Sequence, residues 1–170
     1  MPPLYNVLMN PYAKYLGERD ARSVIAETPG KLAGLAAKVG AAGMRRSPAA
    51  GKWSTAEILC HLADCEVVFA YRLRQALAEP HHMIQPFDQD IWAKGYAGMD
   101  ADAALAVFTA VRQWNLALVD GMTAADLEKR LTHPERGEMT VLTVLETMAG
   151  HDRNHLGQIE RIAGGQAAGA

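Results

Sequence analysis

Apolar residues recur at helical spacing in four separate segments of this chain, and no alternating stretch is long enough to predict a β-sheet. The pattern predicts four helices, over about residues 18–40, 52–78 and 102–121 and from about residue 140 onwards. Pro29, in the first segment, predicts either a kink or the start of a second helical part with Thr28 as its cap. The fold class that follows is all-α.

The second and third predicted helices are joined by a long connector, residues 79–101, in which residues 87–94 can form a short helix. A connector of this length can run along a whole bundle, so the two helices can lie parallel instead of antiparallel. On the third helix, five apolar residues at helical spacing are expected in the core: Leu105, Phe108, Val111, Leu118 and Met122.

Composition limits the class of protein without identifying it. A chain of 170 residues with 49% hydrophobic residues suits one compact domain, 1–170, with a flexible tail over residues 164–170. Lysine and arginine number 17 against 19 acidic residues, and no basic run predicts a nucleic-acid partner. No apolar stretch reaches the roughly 18 residues of a membrane span, and the amino terminus lacks a signal-peptide pattern, so we expect a cytoplasmic protein that does not bind membranes.

Two histidines four residues apart, His151 and His155, form the first candidate site. On a helix this spacing places both side chains on one face, one turn apart. The same face carries apolar residues, among them Val144, Met148, Ile159 and Ile162. Such a pair can bind one divalent metal ion, but core histidines bonded to a neighbour show the same pattern, so the pair alone leaves both interpretations open.

A third histidine, His61, lies in a segment with a clear helix start. Ser54 followed three residues later by Glu57 is a capping box, which places His61 about two turns into the second helix. That helix is apolar most of the way round, so it is expected to be central or to form a homodimer interface. A buried histidine needs a polar partner. A metal ion shared with His151 and His155 supplies one and leaves a coordination position open.

The chain resembles the DinB/YfiT-like superfamily of helical metalloproteins over about residues 18–163. Two motifs carry the resemblance, WSTAEILCHLAD at residues 53–64 and HDRNHLGQI at residues 151–159. It implies a four-helix bundle with an up-down-down-up arrangement, in which homodimers are common. It also implies one divalent metal ion per chain, bound by His61, His151 and His155. Zinc and nickel are the expected ions because imidazole suits both.

Three further residues near these histidines are candidates for the same site. Cys65 lies one turn beyond His61; a small buried residue is the simpler interpretation, and a fourth metal ligand or a redox-sensitive thiol is the alternative. Asp64 and Gln158 can each accept a hydrogen bond from an imidazole and so fix its orientation. Cys60 and Cys65 are five residues apart on one helix, too far for a disulfide.

Other residues that often carry chemistry have simpler explanations here. Glu57 is accounted for by its capping box. Three histidines fall in loops and are expected to be exposed: His81, His82 and His133. The three tryptophans are expected to serve packing and not a binding site: Trp53, Trp92 and Trp114.

A metal ion held by three neutral imidazoles keeps its full double charge, so it polarises a bound water or thiol strongly. The resemblance favours an enzyme that activates a low-molecular-weight thiol for transfer to a small electrophilic substrate. The alternatives are a hydrolase that uses metal-bound water and a non-catalytic metal-binding stress-response protein. Cys65 as a fourth ligand would favour the non-catalytic protein, whereas an open position beneath residues 86–98 would favour an enzyme.

The HDxxH segment also approaches the HExxH signature of zinc peptidases. Asp152 is one methylene shorter than the glutamate of that signature and reaches less far toward a metal-bound water. Glu160, the one acidic residue after His155, points about 140° away around the helix. The sequence therefore argues against a peptidase.

Overall fold

Four long helices dominate the computed structural model, which describes residues 9–165. They are α2 (Ala21–Met44), α3 (Thr55–Ala78), α5 (Ala101–Asp120) and α7 (Val141–Ala163). The shorter elements are α1 (Ala13–Leu16), β1 (His82–Met83), α4 (Gln89–Ala93), a 3-10 turn (Tyr96–Gly98), α6 (Ala124–Leu127), β2 (Arg130–His133) and β3 (Gly137–Thr140). The predicted all-α bundle is confirmed. Most of the predicted tail, residues 166–170, lies outside the described part of the chain. Over residues 9–165, no helix combines the length and apolar character that a membrane crossing requires.

Side-chain caps determine where the long helices begin. The Asp20 carboxylate accepts a hydrogen bond from the backbone N–H of Ser23 at 2.7 Å, and α2 starts at the next residue after Asp20. At α3 the predicted capping box is present, since the Glu57 carboxylate accepts from the backbone N–H of Ser54 at 2.8 Å. Thr140 caps α7, so the last helix begins where the sequence predicted.

Pro29 lies within α2 and does not start a new helix. The interruption falls instead at Gly40, whose backbone has a φ of 67° and a ψ of 165°. A positive φ of this kind is readily adopted only by glycine. The regular helix therefore breaks at the predicted end, and a further turn then runs to Met44.

The first two long helices are neighbours in sequence but lie across the bundle from each other. Helix α2 packs mainly against α7 and α5, and α3 also packs mainly against α5 and α7. Glu66 and Arg74 of α3 form hydrogen bonds with Arg112 and Asn115 of α5, in the same order along both helices. Helices α3 and α5 therefore run parallel, as the long connector allows.

The other two helices run in the opposite direction. Arg22, near the start of α2, pairs with Asp120 at the end of α5, which makes α2 and α5 antiparallel. Ile159, near the end of α7, belongs to the same apolar cluster as Ile58 at the start of α3, while residues near the start of α7 pack with the end of α3. The arrangement is thus up-down-down-up.

A small three-stranded sheet is also present, which the sequence interpretation did not predict. Strand β2 pairs in parallel with β1, where His82 lies opposite Leu131, and antiparallel with β3, where His133 lies opposite Gly137. The strands are only two to four residues long, so they are too short to give an alternating pattern. Gly137 turns the hairpin between β2 and β3 with a φ of 84°.

The buried face of α5 only partly matches the one that the apolar spacing predicted. Of the five expected core residues only Phe108 is fully buried; the other four are partly buried. The buried face also contains Arg112, Asn115 and Val119. Two polar residues occupy core positions because they are bonded to charged groups on other helices, as described below.

Candidate metal centre

Three histidine rings converge in the interior between α3 and α7. His61 comes from α3, and His151 and His155 come from successive turns of α7. The distances between ring centroids are 5.1 Å for His61 and His151, 4.9 Å for His61 and His155, and 4.5 Å for His151 and His155. Each of the three residues is at most 5% exposed. The three histidines that were predicted from the sequence to form one site are therefore close neighbours in the structure.

Two nitrogens of this group face each other directly. The Nε2 atoms of His61 and His151 lie 3.0 Å apart. Two imidazole ligands of one tetrahedral zinc ion, at about 2.0–2.1 Å from the metal, would have nitrogens roughly 3.3 Å apart. The pair is therefore close to the separation that a shared ion requires.

Cys65 lies at the same point, one turn after His61. Its Sγ is 3.5 Å from His61 Nε2, and the ligand atoms of His61, Cys65 and His151 all lie within 4.8 Å of one another. A sulfur and a nitrogen bound to one tetrahedral zinc ion would also be about 3.5 Å apart. Cys65 is buried and a free thiol, as expected, and its position also fits the alternative of a fourth metal ligand.

His155 is oriented by a neighbour on its own helix. Gln158 Oε1 lies 2.9 Å from His155 Nδ1, so it accepts a hydrogen bond when Nδ1 carries the proton. That tautomer leaves the lone pair on Nε2 available for a metal ion. The contact expected of Gln158 is thus present. Asp64 instead accepts a hydrogen bond from the Tyr96 hydroxyl at 2.8 Å, and it forms no bond to an imidazole of the described residues.

Burial keeps the three imidazoles neutral. It lowers the pKa of His61 to about 3, with a smaller contribution from His155. Burial also lowers the pKa of His151 well below its usual value and that of His155 to a lesser extent. The pKa of the Cys65 thiol is raised, first by burial and then by the charge of Asp64. Neutral imidazole is the form that binds metals, and a nearby divalent cation would favour the Cys65 thiolate.

The residues present therefore fit a divalent metal ion. Nitrogen and sulfur donors converge at spacings close to those of a tetrahedral site, and the imidazoles are neutral. A set of imidazole and thiolate donors suits zinc best among the divalent ions and also accepts nickel.

Aromatic side chains surround the histidines. The Trp53 ring lies 4.8 Å from that of His61 and stacks at 6.4 Å on that of His155, so Trp53 forms a wall of the centre and is not only a packing residue. Tyr12 meets His151 edge-on at 5.0 Å. Trp114 is 69% exposed, so the packing role predicted for it is wrong. Trp92 is 42% exposed, so it packs against the protein only in part.

A buried network of charges lies directly behind the centre. Arg112 is 1% exposed, and its guanidinium donates hydrogen bonds to the carboxylates of Glu66 and Asp152 at 2.6–3.2 Å and to the carbonyl oxygen of Ile25 at 2.8 Å. Asn115 donates to Glu66 at 2.7 Å. Sequence reasoning missed this network. The available signal was the position of Arg112 and Asn115 on the Phe108 face of α5.

The remaining histidines are placed differently from the prediction. His81 is exposed, as expected, and its Nε2 lies 2.8 Å from the Thr132 hydroxyl. His82 and His133 are each only 5% exposed, so the expectation of surface exposure is wrong for both. Both lie in the short sheet, His82 in β1 and His133 at the end of β2, and His82 pairs with Glu79 at 2.8 Å.

The fold and the centre define a class: a four-helix bundle with histidines from two helices around a site for one metal ion. This chain belongs to the DinB superfamily, whose family model matches residues 25–159. In the solved structures it is similar to YfiT from Bacillus subtilis, described as "a probable metal-dependent hydrolase with an unusual four-helix bundle topology". The TM-score is 0.78 at 22% identity, and the match covers 84% of this chain and 83% of that one.

Two relatives are named "Putative metal-dependent hydrolase". The one from Oceanobacillus iheyensis is 26% identical over 113 residues, which cover 66% of this chain and 66% of that protein. The one from Bacillus mycoides is also 26% identical over 113 residues, with 66% and 65% covered. The chain thus spans just under two thirds of the length of these relatives.

Proposed function

We propose that this protein is a metal-dependent hydrolase of a small substrate, with one divalent ion bound by His61, His151 and His155 and with Cys65 in reach of the same ion. The names of its relatives support the reaction class, and the converging rings support the ligand set. Zinc is the expected ion and nickel the alternative, because both accept imidazole ligands.

The observation that carries this proposal is a cavity of about 350 Å³ whose lining includes His151 and Cys65. Its wall includes Cys65 and His151 on the inner side and Pro86, Phe87 and Gln89 of the long connector on the outer side. A structural metal ion is enclosed by protein ligands, whereas a catalytic ion keeps a position that substrate can reach. A cavity beneath the connector therefore favours an enzyme over a purely structural metal site.

A bound divalent ion would lower the pKa of a neighbouring water or thiol and polarise a substrate carbonyl or phosphoryl oxygen. The chain's own residues supply the positioning. Gln158 holds His155 in the tautomer with a free Nε2, and Trp53 covers two of the rings. Tyr12 lines the cavity, and burial raises the pKa of its phenol, so it stays protonated and can donate a hydrogen bond to substrate.

Transfer of a low-molecular-weight thiol is the second candidate, and one observation favours it. A hydrolase needs a base to take up the proton of the attacking water. The three carboxylates next to the centre in sequence are already engaged: Asp64 with Tyr96, and Glu66 and Asp152 with Arg112. A thiol ionises at a free pKa of about 8.5, so it depends less on such a base than water does.

One experiment separates these functions. The purified protein, loaded with zinc or nickel or freed of metal by a chelator, is assayed against a panel of small esters and amides. The same preparations are assayed with a panel of cellular thiols and a chloro-dinitrobenzene electrophile. Metal content is measured in parallel by elemental analysis. His151→Ala is the test variant, and His81→Ala, which changes an exposed histidine away from the centre, is its matched control.

We expect about one ion per chain, metal-dependent hydrolysis without added thiol, and loss of both metal and activity in His151→Ala but not in His81→Ala. Turnover that requires a thiol would contradict the proposed hydrolase and support the thiol transferase. A full complement of metal with no turnover in either panel would refute an enzyme and leave the non-catalytic metal-binding protein. Unchanged metal content in His151→Ala would contradict the ligand set.

A further inference from the structure

Two arginines line the cavity that also contains His151 and Cys65. Arg72 comes from α3, two turns beyond Cys65, and Arg136 comes from the hairpin between β2 and β3. Both side chains are half-buried. The same cavity wall contains Cys65 and His151, so cationic groups and candidate metal ligands line one cavity.

Neither guanidinium has a carboxylate as a direct partner among residues 9–165. Arg72 Nη2 donates to the carbonyl oxygen of Gln85 at 3.3 Å, while its Nε is buried without a hydrogen-bond partner. The sequence outside residues 9–165 contains no aspartate or glutamate.

The charges of the two arginines act on each other. Burial lowers the pKa of Arg72, and the charge of Arg136 lowers it further. His133 also faces the cavity, and burial followed by the charges of both arginines lowers its pKa. Glu135 is the one carboxylate in the wall; it is exposed and raises the pKa of His133 slightly against these effects. The cavity as a whole carries an excess of positive charge.

Two half-buried cations without a counter-ion are unfavourable, and a bound anion relieves both the repulsion and the unmade hydrogen bonds. The planar guanidinium offers paired N–H donors that match the two oxygens of a carboxylate or phosphate. Phe69 and Phe87 add an apolar surface to the same wall. A small molecule with an anionic group and an apolar body fits this lining.

We infer that Arg72 and Arg136 form an oxyanion-binding subsite, so that the substrate of the proposed enzyme carries a carboxylate or phosphate group held there while its reacting part faces His151 and Cys65. The substrate role rests on the proposed function, whereas anion binding by the cavity does not. Such a subsite would make the enzyme bind anionic substrates more tightly than neutral ones of the same shape.

Isothermal titration of the protein, as purified and after metal removal, tests the subsite without any turnover. The probes are phenylacetate, phenyl phosphate and the neutral phenylacetamide, which share a ring suited to the apolar wall. The variants are Arg72→Gln and Arg136→Gln. Arg72→Lys and Arg136→Lys keep the positive charge but lose the paired N–H donors of the guanidinium. Arg22→Gln, at a surface arginine on α2, is the matched control.

We expect saturable binding of at least one anion, with the neutral amide and both glutamine variants about 10- to 100-fold weaker, because hydrogen bonds to a charged group are lost. The lysine variants should be intermediate and Arg22→Gln unchanged. Preference for phenylacetate or for phenyl phosphate identifies a carboxylate or a phosphate as the natural group. Circular dichroism of each variant establishes that it is folded.

Equal binding of anionic and neutral probes, binding unaffected in folded glutamine and lysine variants, or no saturable binding of either anion would overturn the inference. These outcomes are distinct from failure of the proposed function. Anion binding without any hydrolysis would refute only the hydrolase. Hydrolysis that treats anionic and neutral esters alike, without anion binding, would refute only the subsite.

Discussion

Replacement of Arg112 by methionine should destabilise the fold more than any surface substitution. The Arg112 guanidinium makes five hydrogen bonds of 2.6–3.2 Å that join α5 to α2, α3 and α7. Burial alone would lower its pKa, but the charges of Asp152 and Glu66 raise the pKa above its usual value, so the group is a cation. Methionine fills similar space without charge or donors.

The size of the effect follows from what remains after the change. Glu66 is 1% exposed and Asp152 is 2% exposed, so water cannot take the place of the arginine. Loss of one partner from a buried ion pair costs about 3–5 kcal/mol, since a charge is left buried without compensation. Here two carboxylates lose the same cation, and only Glu66 keeps a side-chain donor, Asn115. We therefore expect the upper part of that range, a large share of the roughly 5–15 kcal/mol that stabilises a domain.

Urea unfolding followed by circular dichroism measures this loss as a change in the free energy of unfolding. The protein is first freed of metal, because a bound ion would add its own stabilisation. Arg22→Met is the matched control: its ion pair with Asp120 also joins α2 to α5, but the two side chains are 45% and 53% exposed, and about 0–1 kcal/mol is expected.

A rescue variant makes the test specific to charge. Adding Glu66→Gln and Asp152→Asn to Arg112→Met removes both stranded carboxylates and should recover part of the lost stability. The reasoning would be refuted if Arg112→Met lost no more stability than Arg22→Met. It would also be refuted if the rescue variant were no more stable than Arg112→Met alone.

Three further changes probe the centre and its surroundings. With cobalt bound, the proposed hydrolase, which leaves a coordination position open for substrate, should show no near-ultraviolet thiolate-to-metal absorption. A band that the native protein shows and Cys65→Ser lacks would identify the sulfur as a fourth ligand and favour the non-catalytic protein. Gln158→Ala should weaken zinc binding about 10- to 100-fold in a chelator competition, and unchanged affinity would contradict its orienting role. Gly150→Ala would place a Cβ 2.5 Å from the carbonyl oxygen of Tyr12 and should lower the free energy of unfolding in urea by about 1–3 kcal/mol. Gly157→Ala on the same helix, where the nearest contact is at 3.9 Å, should be neutral or stabilising. Equal effects of the two changes would refute the close-contact argument.

The convergence of the histidines could be predicted because local signals fixed each of them. The capping box at Ser54 set the register of α3, and the spacing of His151 and His155 set the face of α7. Cys65 was harder to assign, since a cysteine on an apolar face is most often a packing residue. The distance of 3.5 Å from its sulfur to His61 Nε2 fits a metal ligand as well as a packing residue, so the cobalt spectrum is needed to separate the two interpretations.

The buried polar residues of α5 were not predicted, for a different reason. Periodicity arguments place apolar residues inside and charged residues outside, so they give no reason to place Arg112 and Asn115 in the core. They are buried because Glu66 and Asp152, from two other helices, supply charges that no local pattern reveals. A buried polar network depends on partners that are distant in sequence. The pattern within one helix does not show which residues of other helices it will contact.

The small sheet, which the sequence did not predict, is what completes the cavity. Strand β1 follows α3 and β2 precedes α7, and because these two helices are antiparallel, both strands lie at the same end of the bundle. A hydrogen bond of 2.8 Å from Ile84 N to Thr132 O carries the pairing one residue beyond β1, which holds the following connector residues, Pro86 and Phe87, across from the hairpin that bears Arg136. The histidine centre thus depends on the long helices, whereas access to it and its positive lining depend on short strands. Changes in the sheet should therefore alter ligand preference while leaving the metal ligands in place.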